Sequence, residues 1–210
     1  MSDRQSFGAL TLVATGLGWG RGGMALGEGM DFSVTNSQCL LLRGPNGTGK
    51  TTLLLTLVGV LPAMSGSFTL QGGDEDERLI HYCGHRNAIK PRLTVLENLS
   101  FWAEINGPTG VAPQAALDEV GLGHIAELDA GYLSAGQSRR LALARLLVTN
   151  RPLWLLDEPT AALDAEGHDL VTRLLDCHLD RGGFAIAATH DPITLPDPAR
   201  METLVLGARP

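Results

Sequence analysis

The chain has 210 residues, of which 44% are hydrophobic and 19% are charged, and its formal net charge is −7. That length suffices for one large α/β domain with a substantial apolar interior, and the composition is that of an ordinary globular protein. The acidic balance excludes a broad nucleic-acid-binding surface, so we expect no nucleic acid among the partners.

The apolar stretches of the sequence are too short for a transmembrane helix. The longest, residues 53–64, covers about half of the roughly 20 residues that a spanning helix needs, so it predicts a buried helix. The N-terminal MSDRQSFGALTLVA lacks the apolar core of a signal peptide, and three cysteines without a CxxC pair suit a reducing compartment. We therefore expect the chain on the cytoplasmic side, without disulfides.

Short runs rich in β-forming residues come first along the chain. They predict strands at residues 10–14, 31–35, 39–43, 67–71 and 78–83. A glycine-rich loop and an apolar helix follow the third of these strands. The acidic GGDEDE between the last two predicts a solvated turn rather than a metal site.

The middle of the chain, residues 88–148, has a helical pattern. Thr94 and Glu97 have the spacing of a capping box, and Pro113 suits the first turn of another helix. This stretch therefore predicts a helical subdomain inserted into the chain.

Two continuous apolar runs follow, residues 153–157 and 184–189, and both end at turn residues. Such runs predict strands buried on both faces of a parallel sheet. We therefore predict one α/β domain over residues 1–210, whose core with a β-rich N-terminal part is built from residues 1–87 and 149–210.

The clearest chemical motif is GPNGTGKTT, which matches G-x-x-x-x-G-K-[ST] and lies between an apolar strand and a helix. Its glycines let the backbone wrap around phosphates, and its amides and the helix N-terminus present positive potential to them. Lys50 is expected to reach the β- and γ-phosphates, and Thr51 to give its hydroxyl to Mg²⁺. The predicted nucleotide-binding residues are Gly44, Pro45, Asn46, Gly47, Thr48, Gly49, Lys50, Thr51 and Thr52.

A second acidic motif, LWLLDEP, completes the predicted metal site. Asp157 ends a predicted buried strand, where its carboxylate can hold Mg²⁺ directly or through water. Glu158 follows it and is the candidate general base that polarises the attacking water. Two carboxylates at a strand end can also cap the next helix, but the phosphate loop upstream favours the catalytic interpretation.

Three further segments resemble the ATP-binding cassette (ABC) family. LSAGQ is similar to its signature motif, ALD at residues 162–164 resembles its D-loop with Asp164, and His190 resembles its switch histidine. The signature residues are Leu133, Ser134, Ala135, Gly136 and Gln137. Ser134 and Gln137 also have capping-box spacing, which predicts a helix start there. The resemblance implies a P-loop NTPase (RecA-like) core with a β-rich N-terminal subdomain and an inserted α-helical subdomain.

The same resemblance implies how the site works. ATP and Mg²⁺ are the expected ligands, and two ATP molecules lie in a head-to-tail dimer of the chain, between one copy's phosphate loop and the other's Ser134 and Gly136. Hydrolysis is then phosphoryl transfer to water, governed by positioning and electrostatics. Lys50 stabilises the phosphates, Glu158 orients the water, and His190 contacts the γ-phosphate.

His85 occupies the place where most family members have the glutamine that senses Mg²⁺ and the attacking water. That departure, with GHRNAIKPRLTVLENLSFW and LSAGQSRRLALARLL, is closely similar to one branch, the ATP-binding export subunits of bacterial cytochrome c maturation. The branch implies a peripheral subunit on the cytoplasmic face of the inner membrane, bound to a membrane-embedded transporter subunit. Hydrolysis would drive haem export or release of a haem-loaded chaperone.

Other functions remain open at the level of sequence. They are the ATPase of another small-substrate exporter or of a nutrient importer, a soluble cassette ATPase without a transport role, and a binding module without catalysis. Importer ATPases more often keep the glutamine and add a C-terminal regulatory domain. The complete set of Lys50, Asp157, Glu158 and His190 favours catalysis.

The remaining aromatic, histidine and cysteine residues give weaker signals. Family members often stack adenine on an aromatic residue upstream of the phosphate loop, and Trp19, slightly too far upstream, is the only candidate, with no stacking residue as the alternative. His81 and Cys83 share a strand face with His85 but are expected to pack rather than bind metal, and we expect no haem site in this chain. We expect three other histidines at the surface, His124, His168 and His178.

Overall fold

The computed structural model describes residues 7–73 and 79–207. The strands in that part of the chain are β1 (Thr11–Arg21), β2 (Met24–Thr35), β3 (Cys39–Arg43), β4 (Ser65–Gln71), β5 (Ile80–Cys83), β6 (Leu153–Asp157), β7 (Phe184–Ala188) and β8 (Met201–Val205). The α-helices are α1 (Lys50–Leu57), α2 (Val95–Asn106), α3 (Pro113–Glu119), α4 (Ala135–Val148) and α5 (Ala165–Asp180). Short 3₁₀ turns lie at Gly123–Ile125, Ala130–Tyr132 and Pro198–Arg200.

The strands form two sheets. Strands β2, β1 and β4 form an antiparallel sheet in that order, and β5, β6, β7, β3 and β8 form a parallel sheet in that order. In a parallel sheet all the strands end at the same edge, where ligands commonly bind. The loop after β3, the end of β6 at Asp157 and the segment after β7 therefore meet at one place.

The central strands of the parallel sheet are buried on both faces. In β6, Leu153 and Leu155 pack in one apolar cluster, with the antiparallel sheet and α1. Trp154 and Leu156 point the other way, into a second cluster built with α2 to α5. This alternation confirms the prediction that the continuous apolar runs are strands with both faces covered.

The predicted helix starts of the middle region are confirmed. Thr94 and Glu97 form a capping box before α2, and Ser134 and Gln137 form one before α4. Pro113 is the first residue of α3. The subdomain boundaries at residues 88 and 148 stay a prediction, although α2, α3 and α4 all lie between them.

The apolar run at residues 53–64 is helical over only its first part. Helix α1 ends at Leu57, and Gly59 has φ 79°, a left-handed conformation that terminates helices. Pro62 follows and has no backbone N–H with which to continue the helix. Val60 is consequently 64% exposed, so the prediction of a buried helix across the entire run is wrong. In the described part of the chain, no helix combines the length and apolar character needed to cross a bilayer.

The structure corrects the expected location of His178 and leaves the predicted acidic turn untested. His178, expected at the surface, is buried, and its ring stacks on Trp154 with centroids 3.8 Å apart. The reason is its spacing: it lies four residues after Leu174, on the apolar stripe of α5. The predicted acidic turn falls mostly on residues 74–78, which are outside the described residues.

Candidate nucleotide-binding and hydrolysis site

The loop between β3 and α1 curls around the side chain of Lys50. Lys50 is the first residue of α1 and is buried, and its Nζ donates to the carbonyl oxygens of Gly44 at 2.7 Å and Pro45 at 3.1 Å. Gly49 precedes it with φ 91°, and a Cβ at Gly49 would lie 2.8 Å from both Leu26 Cβ and Trp19 Nε1. Only glycine therefore fits where the β1–β2 hairpin supports the loop.

Trp19 supports this loop from below. Its side chain is 1% exposed, and its indole Nε1 donates to the Gly49 carbonyl at 3.1 Å. A buried ring offers no free face to a base, so the suggestion that Trp19 stacks on adenine is wrong. The residue that this hairpin contributes to the cavity is Leu26, an aliphatic side chain.

Asp157 and Thr51 lie together at the carboxyl edge of the parallel sheet. The Thr51 Oγ1 is 3.0 Å from each carboxylate oxygen of Asp157, which ends β6 and is buried. Hydroxyl and carboxylate oxygens are the ligands that Mg²⁺ prefers. Among the described residues no group of three His, Cys, Asp or Glu side chains could hold a metal. The Thr51 hydroxyl and the Asp157 carboxylate fit Mg²⁺ by the chemistry of their oxygens.

Glu158, His190 and Lys50 form a connected chain of polar groups. The His190 backbone N–H donates to Glu158 Oε2 at 3.2 Å, and its Nε2 lies 3.4 Å from Glu158 Oε1 and 3.4 Å from Lys50 Nζ. Arg43, the residue before the phosphate loop, donates to the His190 carbonyl at 2.8 Å. The fold thus brings the predicted base and the predicted γ-phosphate contact to the same place.

These groups surround a cavity of about 510 Å³, which is the size of a small-ligand pocket. Its lining consists of Leu26, Asn46, Gly47, Gly49, Lys50, Thr51, Thr52, His85, Asp157, Glu158, Ala161 and His190. Gly44, Pro45 and Thr48 are absent from this lining and instead shape the loop. The Thr48 hydroxyl donates to the Pro45 carbonyl at 2.9 Å, and the Gly44 carbonyl accepts from Lys50.

The signature residues 133–137 do not line the cavity. Ser134 caps α4: its Oγ accepts from the Gln137 N–H at 3.2 Å, and Gln137 Oε1 accepts from the Ser134 N–H at 2.9 Å. Asp164 caps α5 by accepting from the Gly167 N–H at 2.9 Å, and that bond, with the Arg140 guanidinium, holds the pKa of its carboxyl below the ordinary value. Both Ser134 and Asp164 are exposed.

The triplet His81, Cys83 and His85 divides as expected. His81 is buried with its Nδ1 3.0 Å from the Thr149 hydroxyl, and Cys83 is buried with its Sγ 3.9 Å from the Ala142 carbonyl. Strand β5 ends at Cys83, so His85 lies in the following loop, where it is exposed and lines the cavity. The predicted packing of His81 and Cys83 is confirmed.

Arg139 on α4 is not among the residues predicted from the sequence. Its side chain is 2% exposed, and it hydrogen-bonds the backbone at the end of β6. A signal was present: Arg139 lies three, four and seven residues before Ala142, Leu143 and Leu146, on the buried face of the helix. A charged residue on a buried helix face needs an internal partner.

Together, the phosphate loop, the strand-end carboxylates and the capped signature helix define an ATP-binding cassette. A family model described as "ABC transporter" matches residues 28–161, and the chain belongs to this family. It is an ABC-type ATPase.

Curated relatives named "Cytochrome c biogenesis ATP-binding export protein CcmA" match most of the chain. One from Rhodopseudomonas palustris (strain BisB5) is 49% identical, and the match covers 87% of this chain and 92% of the relative. Those from Nitrobacter winogradskyi and Mesorhizobium japonicum are 48% and 47% identical, each covering 88% of this chain and 94% of the relative.

Solved structures show the same fold at lower identity. A putative ABC transporter ATP-binding protein from Pyrococcus furiosus superposes with a TM-score of 0.79 at 24% identity, covering 92% of this chain and 97% of that one. The ADP conformation of an ATP-binding cassette of an ABC transporter gives a TM-score of 0.74 at 22% identity, covering 94% and 87%.

Proposed function

We propose that this chain is the ATP-hydrolysing, energy-coupling subunit of a membrane complex for cytochrome c biogenesis. The observation that carries the proposal is the sequence identity of 47–49% to the export proteins named above, over 87–88% of the chain. His85, at the place of the usual glutamine, supports the same assignment because it lines the cavity and begins the path from β5 to α2. The proposed location is the cytoplasmic face of the bacterial inner membrane.

Each step expected of ATP hydrolysis has a candidate residue in the cavity. Lys50 and the loop amides bind the β- and γ-phosphates of ATP, and His190, 3.4 Å from Lys50 Nζ, contacts the γ-phosphate. Glu158 accepts a proton from the attacking water as general base. Thr51 and Asp157 would hold Mg²⁺, which when bound supplies positive charge to the phosphate oxygens. Phosphoryl transfer to water then depends on this alignment and on fixed charges.

A second copy of the chain is part of the proposed working state. The signature segment 133–137 is a capped helix start whose N–H groups and positive dipole end suit a phosphate, yet it lies outside the cavity of its own chain. A head-to-tail dimer places it on the nucleotide held by the other copy, and Asp164 beside it. Two ATP molecules then lie between the two copies.

The partner that uses the energy is a membrane-embedded transporter subunit of the cytochrome c maturation system. Hydrolysis drives haem export or release of haem-loaded chaperone. Both outcomes require ATP turnover at Glu158, and they differ in where haem accumulates when turnover stops. The competing assignment is an ATPase subunit of another small-substrate exporter.

Affinity purification of the full chain from membranes tests the assignment. Mild-detergent complexes of the wild type are expected to contain a hydrophobic subunit of cytochrome c maturation, and recovery of a nutrient permease instead would overturn the proposal. In a strain that lacks the chain, wild type but not Glu158→Gln should restore c-type cytochromes on haem-stained gels. If haem-loaded chaperone stays bound to the Glu158→Gln complex, hydrolysis drives release of that chaperone. If the chaperone on this complex contains no haem, hydrolysis drives haem export.

A further inference from the structure

The guanidinium of Arg139 has all five of its N–H groups bonded inside the protein. Nε donates to the Pro159 carbonyl at 3.2 Å, and the second terminal nitrogen donates to the carbonyls of Asp157 at 2.8 Å and Glu158 at 2.9 Å. The first terminal nitrogen donates to the Gly84 carbonyl at 2.9 Å and to Asn87 Oδ1 at 3.1 Å. An arginine offers five N–H donors, so this side chain is saturated.

The five acceptors belong to two catalytic segments. Three lie at the end of β6 and in the turn after it, which carries the metal carboxylate and the proposed general base. The other two, from Gly84 and Asn87, lie on either side of His85 in the loop after β5. Arg139 itself belongs to α4, whose N-terminus carries the signature residues. One side chain therefore joins three separate functional segments.

The turn held by Arg139 has an unfavourable backbone conformation. Glu158 has φ 49°, in the left-handed region that residues other than glycine rarely adopt. Its N–H donates to the Ala188 carbonyl at 2.7 Å, and its own carbonyl accepts from Arg139 at 2.9 Å and from the Ala161 N–H at 3.0 Å. Such a conformation persists only where its surroundings enforce it. The backbone bonds hold the turn to β7 and within itself, whereas Arg139 alone of these contacts ties three of its carbonyls to α4, so loss of Arg139 would loosen the turn and shift the Glu158 carboxylate relative to His190.

We infer that Arg139 is a positioning residue for ATP hydrolysis, which holds Glu158 and His85 in fixed relation to the signature helix. The inference rests on the proposed roles of Glu158 and His85. Arg139 is absent from the cavity lining, so it acts through the residues it bonds and makes no contact with substrate.

The bonding pattern requires the shape of a guanidinium. In the part of the chain that the structure describes, Arg139 forms no ion pair with a carboxylate, and its five acceptors are neutral oxygens. Lysine carries the same charge as a compact group with three donors and cannot span both segments. Arg139→Lys should therefore fail to restore what Arg139→Gln loses.

Arg151 provides a matched control. It too bridges two segments, donating to the Ile80 carbonyl at 2.7 Å and to Asn106 Oδ1 at 3.1 Å. These acceptors lie at the start of β5 and the end of α2, away from the edge of the sheet where the cavity lies. Arg151→Gln thus removes comparable hydrogen bonds without loosening Glu158 or His85.

The test measures ATP affinity and turnover for the full chain in the wild type, Arg139→Gln, Arg139→Lys and Arg151→Gln. Both Arg139 variants are expected to lower kcat on the order of 100-fold, the effect of misplacing a catalytic group by about 1 Å, with the Kd for ATP within about threefold of wild type. Arg151→Gln is expected to lower the melting temperature while keeping kcat per nucleotide-binding site. Because turnover is counted per site that binds ATP, partial unfolding does not imitate the effect.

Two results would overturn the inference. One is a kcat within about twofold of wild type in Arg139→Gln, or in Arg139→Lys if the glutamine variant does not fold. The other is an equal loss of kcat in Arg151→Gln, which would make the effect one of general stability. Wild type and Glu158→Gln are assayed in parallel. If wild type does not hydrolyse ATP, the proposed function and the inference both fail. If wild type hydrolyses ATP and Glu158→Gln does not, a negative result for the Arg139 variants contradicts only the inference about Arg139.

Discussion

At the scale of single residues, the position of Glu158 depends on its backbone as much as on its side chain. Its φ of 49° turns the chain directly after β6, and its carboxylate meets both the backbone N–H and the ring of His190. The neighbouring Asp157 stays in the strand and faces Thr51. The adjacent carboxylates thereby face different groups, Asp157 toward Thr51 and Glu158 toward His190, which suits the two different roles proposed for them.

Glu158→Gln should abolish most turnover while ATP binding stays. Glutamine has nearly the same shape but does not accept a proton from water, so kcat should fall by about 10²- to 10⁴-fold, the usual contribution of a general base. Phosphate release and ATP affinity measure the two effects. Glu104→Gln, an exposed carboxylate on α2, is the control and should keep full activity. Wild-type-like hydrolysis in Glu158→Gln would remove Glu158 from this role.

Lys50→Ala should weaken nucleotide binding itself. The ammonium lies against the Gly44 and Pro45 carbonyls, facing the cavity, and a charge-assisted contact contributes about 1.5–3 kcal/mol, or roughly 10- to 100-fold in Kd. Titration with a fluorescent ATP analogue measures the change. Lys90→Ala, an exposed lysine over the Phe101 ring, should leave Kd unaltered. Equal affinity of Lys50→Ala and wild type would contradict the phosphate-loop assignment.

The Trp19→Phe variant tests whether Trp19 supports the phosphate loop or recognises the nucleotide base. It keeps a buried ring but removes the hydrogen bond from Nε1 to the Gly49 carbonyl, which contributes about 1 kcal/mol. Affinity for ATP and for GTP should fall together, by roughly fivefold, with their ratio unchanged, as measured by competition binding. A shift in the ratio would restore a role for Trp19 in selecting the base.

At the scale of elements, the two capping boxes have the same chemistry but different expected roles. Thr94 with Glu97 begins α2, and Ser134 with Gln137 begins α4. Each cap satisfies orphan N–H groups of a helix start, so both are expected to contribute to stability alike. Only the α4 start belongs to the signature segment, which is proposed to face the nucleotide of a second copy.

Thr94→Ala and Ser134→Ala therefore form a matched pair. Each should lower the free energy of unfolding by about 1 kcal/mol, measured by urea denaturation. Ser134→Ala alone should also lower kcat and weaken ATP-dependent dimerisation of Glu158→Gln, which is followed by gel filtration. If both variants lost activity in proportion to stability, or neither lost any, Ser134 would be no more than a helix cap.

At the scale of the whole molecule, two buried histidines link stability to pH. Burial lowers the pKa of His81 to about 3, with a further contribution from the Arg145 charge, and burial likewise lowers the pKa of His178 to about 3. Both are therefore neutral in the folded chain at pH values where the unfolded chain binds protons. The contribution of the two neutral histidines to the free energy of unfolding is present in full above about pH 6.5. It is lost as the pH falls from there toward 3, because the unfolded chain gains protons that the folded chain does not.

The free energy of unfolding should thus drop between pH 7 and pH 5, by about 2 kcal/mol for each histidine. His178→Phe keeps an aromatic ring against Trp154 and removes one titrating group, so about half of this dependence should disappear. His124→Gln, at an exposed position, should leave the slope intact. Urea denaturation at the two pH values gives the slopes, and an unchanged slope in His178→Phe would exclude its part in the effect.

Local sequence determined much of this protein. The phosphate loop, the buried strands ending at Asp157 and before His190, and the caps at Thr94 and Ser134 were all predicted, because each is a short segment whose conformation depends on its own residues. A glycine-rich turn between an apolar strand and a helix has few other ways to fold. The same local signals, read in order along the chain, were sufficient to indicate the family.

Contacts between segments far apart in sequence became visible only in the folded chain. Trp19 was a candidate for adenine until the hairpin placed it beneath Gly49, thirty residues away. His178 was expected at the surface until α5 packed it against Trp154, and Arg139 had no visible role until α4 brought it to the carbonyls of Asp157 and Gly84. Sequence patterns report which side chains prefer burial, but the partner that satisfies a buried polar group is fixed by packing.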